Sequence, residues 1–131
     1  MKLGLSSFHL IGQPFEALLA SIASSDVKKW ELVDDSAHRL DEDRARSLLK
    51  LKKEQGLSYT VHAPFEDLNI ASFNPKLRRL AIDELSRSIR LAAKVDAELW
   101  VVHPGLYSGL SWAYPGHQWN LNLEALKDLR E

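Results

Sequence analysis

Tyr59-Thr60-Val61-His62-Ala63-Pro64 and Trp100-Val101-Val102-His103-Pro104-Gly105 decide how this chain is read. Each is a short apolar run that ends in a histidine and passes into a proline-containing turn. Side chains alternate between the two faces of a strand. If Tyr59 and Val61 pack outward on helices, Ser58, Thr60 and His62 face the other way. By the same alternation Trp100 and Val102 face outward, and Leu99, Val101 and His103 inward.

Working outward from these two runs, strand-like and helix-like stretches alternate to both ends of the chain. Leu3 to Ser7 reads as a first strand. Pro14 suits a first helical position, and Phe15, Leu18, Leu19, Ile22 and Ala23 after it form one helical stripe. Trp30 to Asp34 reads as a second strand, and Asp41 caps a helix to Gln55 that Gly56 closes. The third strand is Leu57 to His62. Asn74-Pro75 starts a helix to about Val95, with Leu77, Ala81, Leu85, Ile89 and Ala92 on one face. Leu99 to His103 is the fourth strand, and Trp119, Leu123, Leu126 and Leu129 mark a final helix. No Asn-Gly hairpin signal separates any two strands, so the strands are expected to be parallel with helical crossovers. Strand ends recur roughly 30 to 40 residues apart, the size of one βα unit, and a full (β/α)₈ barrel takes eight. The first turn lacks G-x-G-x-x-G, which argues against a doubly wound nucleotide-binding sheet. The expected fold is α/β, with parallel (β/α) units making about half of a TIM barrel: four βα units in one domain, residues 1–131.

Composition narrows the function. The chain has 131 residues, 45% apolar and 27% charged, which suits a soluble globular domain. Seventeen Lys plus Arg against eighteen Asp plus Glu give a net charge of −1, so nothing global recruits a nucleic acid. The absence of cysteine excludes disulfides, thiolate zinc ligands and thiol catalysis. No apolar run approaches the ~20 residues of a membrane span, and no signal-peptide pattern opens the chain. A cytoplasmic location is expected.

The two strand-end histidines carry the chemistry. Carboxyl ends of parallel strands form the functional face of α/β folds. On neighbouring strands about 5 Å apart, two neutral imidazoles suit one divalent metal. Either one alone also reads as a hydrogen-bonded structural histidine. Glu31, on the inward face with Val33 and Asp35, reads as an acid/base group or as an ion-pair partner of Lys2. Asp34 and Asp35 read as turn or cap groups. His9 lies in the first βα loop within reach of substrate, while His38 and His117 have no supporting context. Asn69 reads as a loop-backbone holder or a substrate contact, and Trp112, Tyr114 and Trp119 as loop anchors or sugar-stacking rings. Lys76, Arg78, Arg79, Arg87 and Arg90 form a solvated helix face.

His62-Ala63-Pro64-Phe65 through Leu68-Asn69-Ile70-Ala71-Ser72, then Asn74-Pro75, Arg78 and Val101-Val102-His103-Pro104-Gly105, resembles the xylose isomerase-like TIM barrels. That superfamily includes sugar isomerases and epimerases and the endonuclease IV type of apurinic/apyrimidinic endonuclease (AP endonuclease family 2). In the endonuclease IV branch histidines at these strand ends are zinc ligands, which implies that role for His62 and His103. The family's remaining ligands fall on later strands, beyond Glu131, and Asp96 stands where the family has a glycine. The resemblance implies a relative of divalent-metal-dependent sugar isomerases and epimerases. Zinc, manganese or magnesium binding is expected to be weak or absent in this chain, and turnover by it alone is not expected. The alternatives are a zinc-dependent AP endonuclease relative and a non-catalytic half-barrel binding or assembly module. A small sugar is the expected ligand, nucleic acid and membrane are not, and a dimer of half barrels is expected. Such a dimer would cover an inward face on which Leu99, Val101 and Val33 lie open.

Overall fold

The computed structural model of the chain describes residues 3–130. Along it run β1 (Leu5–Ser6), α1 (Phe15–Ser24), β2 (Lys29–Val33), α2 (Glu42–Gln55), β3 (Ser58–His62), α3 (Pro75–Lys94), β4 (Leu99–Val101) and α4 (His117–Arg130). Short 3-10 turns follow β1, β2 and the start of the last loop, at Ser7–Leu10, Ser36–His38 and Ser111–Ala113. The strands are all parallel, in the order β1-β2-β3-β4. This is the expected α/β fold of four βα units.

Local chemistry explains the boundaries. Asp41 accepts the Arg44 amide at 2.8 Å and so caps α2, whose other end is closed by Gly56 in a left-handed turn at φ 63°. Asn74 accepts the Lys76 amide at 3.0 Å and caps α3, with Pro75 as its first residue. Pro14, expected inside α1, instead sits at its cap with ψ 152°, an extended value. β4 stops at Val101, so His103 lies in the following loop and not at the strand's last position. Asp96 holds φ 56°, the left-handed turn that favours glycine, which a short polar side chain tolerates.

The chain divides into two compact units. The first, residues 1–64 and 88–102, contains the whole sheet. One sheet face presents Trp30, Leu32, Tyr59 and Val61 to a core with Phe15, Leu18 and Ile22 of α1, Leu48 of α2 and Leu91 of α3. Two buried polar atoms are satisfied there: Tyr59 Oη donates to the Leu48 carbonyl at 3.2 Å, and Trp30 Nε1 to the Val27 carbonyl at 3.1 Å. Burial pushes the Tyr59 phenol well above its usual range. On the opposite face Leu99 is 64% and Val101 44% exposed, as alternation predicts. Val33 departs from that expectation at 2% exposure. The turn after β1 reaches its backbone, where the Val33 amide donates to Ser7 Oγ at 2.8 Å.

The second unit, residues 65–87 and 103–131, holds the first part of α3, the long loop after β4, and α4. Its buried residues include Ile70, Ala71, Ala81, Ile82, Leu85, Leu121 and Ala125, together with the carboxamides Gln118 and Asn122. α4 forms where Trp119, Leu123, Leu126 and Leu129 mark a final helix, and of these Trp119 is 60% exposed and Leu123 and Leu126 are exposed as well. Leu77, expected on the buried face of α3, is exposed too.

Candidate functional site

In the first unit the strand register fixes the candidates in rows. Ser6, Glu31, Thr60 and Leu99 are register partners across all four strands, and Val33, His62 and Val101 form the next row. Glu31 and His62 therefore share the sheet face away from the core, on adjacent strands. A cavity of about 330 Å³ opens there, lined among others by Ser6, Glu31, Ser58 and Thr60. Ser6 Oγ donates to Glu31 Oε1 at 3.3 Å. Lys2, the alternative partner for Glu31, lies outside the described residues.

His62 closes β3, half-buried, and its Nδ1 donates to the Ala63 carbonyl at 2.8 Å. That bond puts the proton of the neutral ring on Nδ1 and the lone pair on Nε2, the pattern in which a histidine serves as a ligand or base. His9, exposed after β1, repeats it: Nδ1 donates to the Ser6 carbonyl at 2.6 Å. Asp34 is fully buried and accepts the Leu40 amide at 2.6 Å, while Asp35 accepts the Ser36 amide at 2.6 Å. Both carboxylates bind the turn after β2.

The second unit holds His103, Asn69 and Trp112. The His103 ring stacks on Phe65 with centroids 5.7 Å apart and planes 17° from parallel. Asn69 Oδ1 accepts the amides of Ala71 at 2.9 Å and Leu106 at 3.0 Å, and its Nδ2 donates to the Leu106 carbonyl at 3.0 Å. Trp112 is 81% exposed on the last 3-10 turn. Close by in sequence, His117 stacks on Phe73 at 5.2 Å, with Tyr114 tilted against both.

Sequence reasoning missed three residues. Gln118 and Asn122 are buried and bind loop backbone, and their i, i+4 spacing on one helix face was the available signal. His38 is 1% exposed and packs edge-on to Phe15. Burial holds its pKa below the usual histidine range. The Arg44 charge adds to this, and the Gln13 carbonyl opposes it.

Among the described residues no three His, Asp or Glu side chains gather as a metal-ligand set. Zinc needs three or four protein ligands, so the residues described do not complete such a site. No described helix is long and apolar enough to cross a membrane.

A family model for xylose isomerase-like TIM barrels matches residues 19–131. An uncharacterized protein of Methanocaldococcus jannaschii is 31% identical over the whole chain, which covers 45% of that protein. A probable endonuclease 4 of Mycoplasma pneumoniae is 35% identical over 68 residues, 52% of this chain and 23% of that protein. The crystal structure of a D-tagatose 3-epimerase-like protein superposes with a TM-score of 0.89 at 31% identity, covering 98% of this chain and 47% of that one. A D-psicose 3-epimerase from Clostridium cellulolyticum, solved with D-tagatose, shares the fold at a TM-score of 0.73 and 14% identity, over 99% of this chain and 47% of that one. The chain spans less than half the length of each of these proteins.

Proposed function

Starting from a chain that belongs to the xylose isomerase-like TIM barrel family, we propose that it is the N-terminal (β/α)₄ half of a barrel that epimerises or isomerises a small ketose. The observation that carries this reading is the D-tagatose 3-epimerase-like structure, similar over 98% of the chain at 31% identity. In this reading His62 at the end of β3 and His103 in the loop after β4 take the ligand roles that the resemblance implies, Glu31 moves a proton, and His9, Asn69 and Trp112 face the sugar. Among the described residues no three donors gather as a closed metal site, so in this reading zinc, manganese or magnesium binds weakly and this half alone does not turn substrate over. Calorimetry with zinc tests the metal: submicromolar binding by a monomer contradicts the reading. Substrate class is tested by NMR titration with D-tagatose and, separately, with an oligonucleotide carrying an abasic-site analogue. The sugar is expected to perturb Glu31, His62 and Trp112, and the DNA to perturb nothing.

Two other readings have their own support. The stretch similar to a probable endonuclease 4 favours a DNA-repair relative, against which stands a net charge of −1. Metal-dependent incision of abasic DNA, lost in His103→Ala, would establish it over the epimerase. A non-catalytic assembly module is favoured by the sheet itself. β1 and β4 are its outer strands, and Leu99 and Val101 are exposed on the face away from the core. The partner we propose for that face is a second copy, each half barrel closing the other around a twofold axis. Sedimentation at micromolar concentration is expected to give a dimer, and a monomer excludes it.

A further inference from the structure

Within the second unit, the corner that follows His103 is clamped at its first usable backbone donor. Pro104 has no N–H and a φ locked near −65°. The first amide after His103 that any side chain can hold is therefore that of Gly105. Asn122 takes it: the Gly105 N–H donates to Asn122 Oδ1 at 2.6 Å. The next residue is gripped as firmly, its amide and carbonyl both bonded to Asn69 and its carbonyl also accepting Gln118 Nε2 at 2.9 Å. Gly105 itself leaves no slack. A Cβ there would lie 2.5 Å from both the Cβ and the amide nitrogen of Ala71.

The carboxamide of Asn122 is committed to this task. It is buried in α4, where an amide is costly without partners, and its Nδ2 is already satisfied by the Gln118 carbonyl at 3.2 Å. Because Pro104 removes its φ from the torsions between them, an anchored Gly105 amide narrows the directions in which His103 can leave the backbone. The Phe65 ring stacked on the imidazole then fixes its plane. We infer that Asn122, acting through the Gly105 amide, is a positioning residue for the His103 ring, with Phe65 as the plate against which the ring is set. The inference rests on the proposed reading for its functional meaning, since only there does the aim of His103 matter.

The test is the NMR spectrum of the His103 ring protons in the full chain at fixed pH, without sugar or metal. A failed sugar or metal titration is then a separate result from a failed positioning test. Stacking on Phe65 displaces these signals by ring current, and Phe65→Leu is expected to abolish the displacement. Asn122→Leu, which deletes the acceptor, is expected to abolish it as well. Asn122→Asp keeps an oxygen for the Gly105 amide and is expected to restore it. The His9 signals, in the other unit, are expected to stay fixed throughout. Unmoved His103 signals in Asn122→Leu overturn the inference, as does an equal displacement in the Leu and Asp variants. Should Asn122→Leu not fold, hydrogen exchange in the unaltered protein decides: the Gly105 amide is expected to be protected, and exchange at the rate of an unstructured peptide overturns the inference.

Discussion

Each of the two units is stabilised internally by different means. The first is built on apolar contact, with Trp30, Tyr59, Leu18, Ile22 and Leu48 almost wholly removed from water. The second has fewer large buried side chains and relies on carboxamides bonded to loop backbone: Asn69, Gln118 and Asn122 hold the chain from Gly105 to Ser108. Apolar burial is non-directional and proportional to area, so it makes a sturdy platform with some tolerance of shape. Hydrogen bonds add little net stability each but fix direction. The unit that carries the sheet is secured by quantity of contact, and the unit that carries His103 by aim.

Substitutions in each unit test this contrast. The largest effect is expected from Trp30→Ala, which empties the centre of the first unit. By analogy with buried Trp and Phe truncations it costs about 3–5 kcal/mol, read from urea unfolding. A loss under about 1 kcal/mol would mean that this core is not close-packed. Gly105→Ala strikes the second unit, pressing a methyl group onto the Ala71 backbone. A cost of about 1–3 kcal/mol is expected, with faster exchange at Leu106 and Ser108 before the sheet is affected. If the variant is as stable as the parent, the corner after β4 is not tight.

A pH experiment separates the units in another way. The folded pKa of His38 lies below its unfolded value of about 6.5, so the native state binds fewer protons than the unfolded chain. Its neutral form contributes stability that is fully present above that unfolded value and is lost as pH falls through the folded pKa. Acid is therefore expected to loosen the turn after β2, and His38→Phe to flatten the fall in urea midpoint below about pH 6.5. An unchanged slope in that variant would assign the acid response elsewhere. The smallest effect is expected from Asp96→Gly. Glycine relieves the left-handed backbone but discards the bond from Lys52 Nζ to the Asp96 carboxylate at 2.6 Å, which holds that exposed carboxyl below its usual range. The two changes oppose each other, so thermal denaturation is expected to show little difference at low salt and a small gain at high salt.

What was legible in the sequence follows the same division. Alternation placed Trp30, Leu32, Tyr59 and Val61 correctly on the core, and the caps at Asp41 and Asn74 were read from residue type alone. α4 was read as a helix from Trp119, Leu123, Leu126 and Leu129, but which of its sides is buried was not read, since hydropathy ranks Trp119, Leu123 and Leu126 above Gln118 and Asn122. Its buried side combines Leu121 and Ala125 with Gln118 and Asn122, whose i, i+4 spacing was the one local signal and whose partners on the loop backbone exist only in the fold. His38 was equally opaque, lying in a polar run and buried only by tertiary packing. For the site, His62 lies at the strand end where it was read, whereas His103, read as the end of β4, follows it in the loop. The proton location on His62 depends on which carbonyl the folded backbone offers, as does the ring plane of His103 on Phe65.

The strand order β1-β2-β3-β4 also bears on how the chain is made. Every strand pairs with the one synthesised just before it, so each βα unit can add to a free edge as it leaves the ribosome. No strand must be threaded between two that have already met, and each closure spans only one helix and its turns, a modest entropic cost. Growth from the amino end leaves the most recent strand as the open edge at every stage. A pause in translation at any unit therefore presents the same parallel edge for the next one to join.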